Sequence, residues 1–267
     1  MLSVLTRSPV EISRFGQTSA STFTVRSKQS SAWILLTCAD CFKGLKERLK
    51  SRRRLSTILF VTDAFGLALP NNQLLADDFA RNGFKTILPD IFNDDPAPAN
   101  TFEPNTSSLV QGPPFDLQKW FAKHGAELTR PIIDSVVAAL REEGVTTSAA
   151  TGYCFVARYV VDLAFNGVIQ VSAISHPSLL VIPDDLKKYR DVAKAPLLIN
   201  SCTVDSLFPL EAQAQVDDIL GGGKFAPGYQ REYFDGCQHG FAVRGNMSDP
   251  KVKAGRRARS NGAWSGS

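Results

Sequence analysis

The amino-acid sequence predicts an α/β fold, a mostly parallel sheet with helices on both faces. Two observations carry that prediction. Short β-branched and apolar runs alternate with stretches whose apolar residues recur at helical spacing, starting abruptly at residue 55 and continuing to residue 234. The first of these runs is apolar along its length, which suits a strand buried on both faces, and strands separated by helices imply right-handed crossovers between parallel neighbours.

Taken in order, LSTILFVT at 55–62 reads as the first strand, and NNQLLADDFARN at 71–82 reads as a helix with Gly83 behind it as C-cap. A short strand at 84–88 stops before Pro89. The stretch 129–143 reads as a helix with Thr129 near its N-cap, and 146–152 as a strand. Helix 155–165, strand 168–174, strand 195–200, helix 210–220 and strand 230–234 complete the alternation. In sheets of this kind chemistry gathers at the carboxyl ends of the strands. The Pro-rich stretch 94–114 is a long excursion, either a lid or a solvated loop.

A chain of 267 residues with 43% apolar and 21% charged side chains fits one globular domain with a substantial core, which argues against disorder, collagen and a membrane bundle. Its longest apolar stretches are only a handful of residues, far short of the roughly 18–20 that cross a bilayer. The net charge of +4 hides a division. Residues 1–54 hold eleven Lys and Arg against three acids, and 251–267 hold five against none, so 55–250 keeps fourteen basic against twenty-three acidic residues. Such an acidic body is a poor match for phosphate backbones, which excludes nucleic acid as the expected partner.

The expected organisation is therefore a basic, Ser-rich leader over 1–54, a folded domain over 55–250 and a basic, Gly- and Ser-rich tail over 251–267. Arg7, Arg14, Arg26 and Lys28 in the Ser-rich leader give it the composition of an organellar transit peptide, and equally of an unstructured leader. Five cysteines, Cys38, Cys41, Cys154, Cys202 and Cys237, form no disulfide framework and point to a reducing compartment. The expectation is a cytoplasmic protein, with a mitochondrial address as the alternative that the leader raises. Cys38 and Cys41 make a C-x-x-C with no second pair or His cluster at zinc spacing, so they read as two ordinary thiols.

At the end of the strand over 146–152 stands Gly152-Tyr153-Cys154-Phe155-Val156-Ala157. A nucleophile elbow needs a sharp strand-to-helix turn with small residues on both sides, so that a strained nucleophile stands clear of the sheet. Gly152 supplies one of them; two places after Cys154 the usual glycine is replaced by Val156, which predicts a less close approach of helix and strand. By itself a G-x-C after a strand more often marks a buried cysteine acting as a small apolar residue. Asp205 and His239 each follow a further strand, and the order nucleophile, acid, histidine is that of the α/β-hydrolases.

Further stretches accompany these three residues: Thr62-Asp63-Ala64-Phe65-Gly66, Ala76-Asp77 with Gly83-Phe84, Leu88-Pro89-Asp90-Ile91-Phe92, Ser175-His176-Pro177-Ser178, Phe208-Pro209 and Asp235-Gly236-Cys237-Gln238-His239-Gly240-Phe241. With them, the sequence over about 55–250 resembles the fungal branch of the dienelactone hydrolase family, and the resemblance implies an α/β-hydrolase fold. It further implies that Cys154 is the nucleophile, His239 the general base and Asp205 its orienting acid. By the same resemblance Asp63 stands where a carboxylate lies near the resting thiol, and the Ala64 and Phe155 amides form an oxyanion hole. The activity implied is hydrolysis of a small ester or lactone through a thioester acyl-enzyme, with no cofactor, no metal and no membrane partner.

Arg244, five residues past His239, is a candidate for pairing a substrate carboxylate. His176 reads as structural, tied into a turn before Pro177, and His124 as a surface-helix residue. The likeness does not extend to the ends: a family member contributes sheet and pocket ahead of residue 55 and a long amphipathic helix after 250, whereas 254–267 has no apolar stripe. An altered reading frame or a truncation is the expectation there. Two other readings stand beside the hydrolase: a catalytically silent α/β-hydrolase-like binding protein, favoured by Val156 and the atypical ends, and an α/β enzyme with a Gly-rich phosphate loop. The second lacks its motif, since Gly221 to Gly223 follow a helix and no G-x-G-x-x-G follows a strand.

Overall fold

A computed structural model of the chain describes residues 57–82, 84–101 and 115–244. The Ser-rich leader, the Cys38–Cys41 pair, most of the Pro-rich excursion and the basic tail lie outside the described residues. Among the described residues no helix is long and apolar enough to cross a membrane.

Six strands, β1 (Thr57–Val61), β2 (Lys85–Ile87), β3 (Ser148–Tyr153), β4 (Val171–Ser175), β5 (Leu197–Val204) and β6 (Tyr229–Gln238), form one sheet in the order β2-β1-β3-β4-β5-β6. Every neighbouring pair is parallel. The carboxyl ends of β3, β4, β5 and β6 therefore open on the same edge. The connections are supplied by helices α1 (Pro70–Arg81), α2 (Leu117–Lys123), α3 (Ala126–Glu142), α4 (Ala157–Phe165), α5 (Asp184–Val192) and α6 (Leu210–Leu220), with a single turn α7 (Phe241–Arg244) after β6.

All five residues of β1 are buried, and its side chains divide by parity as a pleated strand requires. Ile58 and Phe60 join Leu75, Ala76 and Phe79 of α1 and Val243 of α7 in one cluster. Leu59 and Val61 join the larger cluster, with Ile133 and Val136 of α3, Val160 and Leu163 of α4, Leu186 and Tyr189 of α5, and Val216 of α6. A strand packed on both faces has no solvated side to make polar, which is why 55–62 reads as a continuous apolar run.

Two helices escape sequence reading, and one begins early. α5 has only Leu186 and Tyr189 as buried apolar residues, too few to set a period in DDLKKYRDV. α2 is seven residues long; Asp116 caps it by accepting the Lys119 N–H at 3.0 Å, and Trp120 is its buried anchor. α3 begins at Ala126, before the expected Thr129, whose hydroxyl donates back to the Gly125 carbonyl at 3.0 Å. His124 is also not on a surface helix face. It is the buried C-cap of α2, its ring stacked on Trp120 at 4.4 Å, with Nδ1 2.9 Å from the Trp120 carbonyl.

The expectation that Val156 holds helix and strand apart is overturned. A Cβ on Gly152 would lie 2.7 Å from a Val160 methyl and 3.2 Å from the Ala157 Cα, so β3 and α4 are already in contact. Gly152 and Ala157 supply that approach, while Val156 has an ordinary right-handed backbone (φ −72°) and is fully buried in the core. Gly152→Ala should therefore overpack the crossing and cost about 1–3 kcal/mol in urea unfolding. Adding Val160→Ala in the same chain should recover part of that loss, and a Gly152→Ala variant as stable as wild type would show the contact to be slack.

Candidate active site

The short 3₁₀ turn Cys154–Val156 joins β3 directly to α4, and Cys154 takes φ +57°, a left-handed backbone that a side chain other than glycine adopts at a cost. That geometry turns the sulfur out of the sheet edge; Cys154 is half-buried. The Cys154 Sγ lies 3.1 Å from His239 Nε2 and 4.0 Å from the Ser178 hydroxyl. His239 Nδ1 is 2.9 Å from Asp205 Oδ1. The three side chains singled out from sequence thus form one line at the carboxyl ends of β3, β5 and β6.

Backbone contacts hold that line. The His239 N–H donates to the Val204 carbonyl at 2.9 Å, which ties the end of β6 to the end of β5. Asp205 Oδ1 also accepts the N–H groups of Leu207 (3.0 Å) and Phe208 (3.1 Å), so the carboxylate is oriented before the imidazole reaches it. With Nδ1–H donated to the carboxylate, the neutral ring presents Nε2 to the thiol as an acceptor. Burial works against a charged His239 ring, but its hydrogen bonds to Asp205 and Cys154 outweigh that penalty and lift its pKa to about 9.

The other two cysteines of the described residues lie in an apolar setting. Cys202 and Cys237 are buried, and burial pushes the Cys202 thiol well above its ordinary range. Both sit in an apolar cluster with Leu198 and Phe241.

His176 carries more than its sequence reading foresaw. It is fully buried after β4, and its ring meets the His239 ring edge-on at 4.9 Å and Phe241 at 5.5 Å. Neither ring nitrogen has a hydrogen-bond partner among the described residues, and burial, followed by the nearby His239 and Arg244 charges, holds its pKa well below the ordinary value. It is a neutral wall against one side of the His239 ring. Ser178, beside the sulfur, stands out in the sequence only as part of Ser175-His176-Pro177-Ser178. The signal available in sequence was its place after β4, whose end lies between β3 and β5.

Asp63 and Ala64 follow β1, and Phe155 is the second residue of the turn at Cys154, where helical N–H groups have no partner inside their own helix. Asp63 is buried and turned toward Asn72 (3.1 Å) and the Phe65 N–H (3.3 Å), with Arg244 Nε at 3.8 Å from its other oxygen. Burial raises its pKa, against the lowering effect of Asn72 and Arg244. Cys154 Sγ contacts His239 and Ser178, and the Asp63 carboxylate is close enough for the His239 charge to act on it. Arg244 sits over the Phe65 ring at 4.9 Å, packs against Gly240 and pairs with Asp63.

Because the His239 pKa is raised on folding, the folded chain binds a proton that the unfolded chain releases near pH 6.5. The stability this contributes is complete below about pH 6.5 and is lost as pH climbs through about 9. NMR titration of His239 should give a midpoint near 9, and a lower one in Asp205→Asn. Urea unfolding of wild type should weaken by about 2 kcal/mol between pH 7 and pH 10 relative to His239→Gln. A His239 midpoint at or below 6.5 would contradict the account.

Residues 42–264 match the model of the dienelactone hydrolase family. Over 194 residues the chain is 34% identical to the hydrolase pyvD of Aspergillus violaceofuscus, covering 72% of each protein. Over 199 residues it is 30% identical to dienlactone hydrolase 1 of Gibberella moniliformis, covering 73% of this chain and 71% of that one. Among solved structures, a dienelactone hydrolase-like promiscuous phosphotriesterase from metagenomic libraries superposes with a TM-score of 0.52 at 21% identity, over 78% of this chain and 82% of the other, a likeness of fold.

Proposed function

The chain belongs to the dienelactone hydrolase family and has its α/β-hydrolase fold; from that premise and the geometry of the site we propose that it hydrolyses small esters or lactones through Cys154, His239 and Asp205. The observation that supports this reading best is the unbroken line from Asp205 Oδ1 through both nitrogens of His239 to Cys154 Sγ, at 2.9 and 3.1 Å.

In this mechanism the Cys154 thiolate attacks the carbonyl carbon and a C–S bond forms. The carbonyl oxygen takes the negative charge, and the N–H groups of Ala64 and Phe155 receive it; one such donor is worth roughly 3 kcal/mol in the transition state. The C–O bond to the leaving group then breaks, and the alkoxide takes the proton held on His239 Nε2. In a lactone that alkoxide stays on the same molecule, so ring opening yields a single acyl-enzyme. His239, neutral again, draws a proton from water; the resulting hydroxide attacks the thioester, and the carboxylic acid leaves as the thiolate re-forms. Asp205 keeps the ring in the tautomer that both half-reactions need.

His176 supports this cycle by packing on His239 without competing for either nitrogen. Asp63 and Arg244, paired beside the site, neutralise one another in the resting state. Val156 is compatible with an active elbow because its backbone does not require glycine.

Hydrolysis of p-nitrophenyl acetate should fall by at least 10³-fold in Cys154→Ala and by about 10²- to 10⁴-fold in Asp205→Asn. Intact-mass measurement of a quenched wild-type reaction should show one acyl group, absent from Cys154→Ala. Undiminished turnover in Cys154→Ala would refute the assignment.

A further inference from the structure

The loops after β4 and β5 leave adjacent parallel strands, and both are bonded to the catalytic line. The Ser178 N–H donates to the Cys154 carbonyl at 3.1 Å, and the Leu207 N–H donates to the same Asp205 oxygen that faces His239. At each of these points stands an exposed leucine: Leu179 is 63% exposed and Leu207 58%. Leu179 also has φ +61°, a left-handed backbone disfavoured for so bulky a side chain.

Scattered surface leucines need no explanation, but these do not form a scattered pattern. In the apolar run Leu179-Leu180-Val181-Ile182, Leu180 and Ile182 pack against the main core, while Leu179 and Val181 alternate with them and stand exposed. The loop is pinned. The Val181 N–H donates to Asp185 Oδ2 at 2.6 Å, and Asp185 is in turn paired with Arg158 of α4. Leu179 is thus held in water by a fixed frame. Residues 175–183 and 206–210 contain no Asp, Glu, Lys or Arg, and Asp205 between them is engaged by His239. A charged group lying directly on these leucines would lose hydration against apolar side chains, with Asp184 and Glu211 only at the loops' far ends, whereas an apolar group would shed water together with the leucines.

We propose that the ester or lactone taken by this site carries an apolar substituent that lies across Leu179 and Leu207, so that these two side chains set its specificity. The proposal rests on the hydrolase reading of Cys154 and adds the class of substrate. It predicts a steep dependence of kcat/KM on acyl length, because each methylene buried against apolar surface is worth up to about fourfold.

The test is a p-nitrophenyl ester series from acetate to hexanoate, read as the ratio of kcat/KM for hexanoate to that for acetate within each protein, so that a general loss of activity cancels. Wild type should give a ratio of about tenfold or more, and Leu179→Ser/Leu207→Ser should lower it at least fivefold. Leu128→Ser, at an exposed leucine on α3, should leave it as in wild type. A ratio near one in wild type, or an unchanged ratio in the double variant, would overturn the proposal. Cys154→Ala is measured alongside: turnover lost there with an unchanged ratio in the leucine variants rejects the apolar seat and keeps the hydrolase, whereas turnover retained in Cys154→Ala rejects both.

Discussion

The site depends on one imidazole held between a carboxylate and a thiol in a place that water reaches poorly. A buried His239 would ordinarily stay neutral, since desolvation penalises its charged form. Asp205 on one side and Cys154 on the other reverse the outcome, because in a medium of low dielectric each hydrogen bond to a charged partner gains strength. The same burial that would discharge an isolated histidine therefore makes this one basic. Remove either neighbour and the upward shift shrinks.

The parallel sheet delivers the three groups to one edge. Since all six strands run the same way, the residues after β3, β4, β5 and β6 emerge side by side even though Cys154 and His239 are 85 positions apart in the chain. Both faces of the sheet are closed by helices, so a polar group has few places to stand except at the strand ends. Strain is concentrated there too. Of the five non-glycine residues with left-handed backbones among the described residues, Cys154, His176 and Leu179 belong to loops that touch the Cys154–His239–Asp205 line, while Asn93 and Asp94 lie after β2. The tight contact of Gly152 with Val160 and Ala157 helps keep the Cys154 turn in that conformation.

Much of this was legible in the chain itself. β1 was readable because burial on both faces leaves it apolar along its length, the shorter or more polar strands β2 to β6 because each stands between helical stretches, and α4 and α6 because their apolar residues recur at helical spacing. α5 was not readable, because only two of its buried residues are apolar, nor was α2, a single short amphipathic stretch behind a Pro-rich segment. In the sequence Val156 is judged only against the pattern of small residues that an elbow predicts. The backbone angle that makes glycine unnecessary at that position is a property of the folded turn.

By itself the sequence determined the alternating strands and helices, the order of Cys154, Asp205 and His239, and the likeness to dienelactone hydrolases, since periodicity and short motifs are local properties of a chain. Only the tertiary structure decided that Arg244 faces Asp63, that His176 walls the His239 ring, that His124 is buried on Trp120, and that Leu179 and Leu207 stand exposed in loops hydrogen-bonded to Cys154 and Asp205. Those are distances between segments remote in sequence. They follow from how the loops pack once the sheet has brought them together, and no local pattern encodes them.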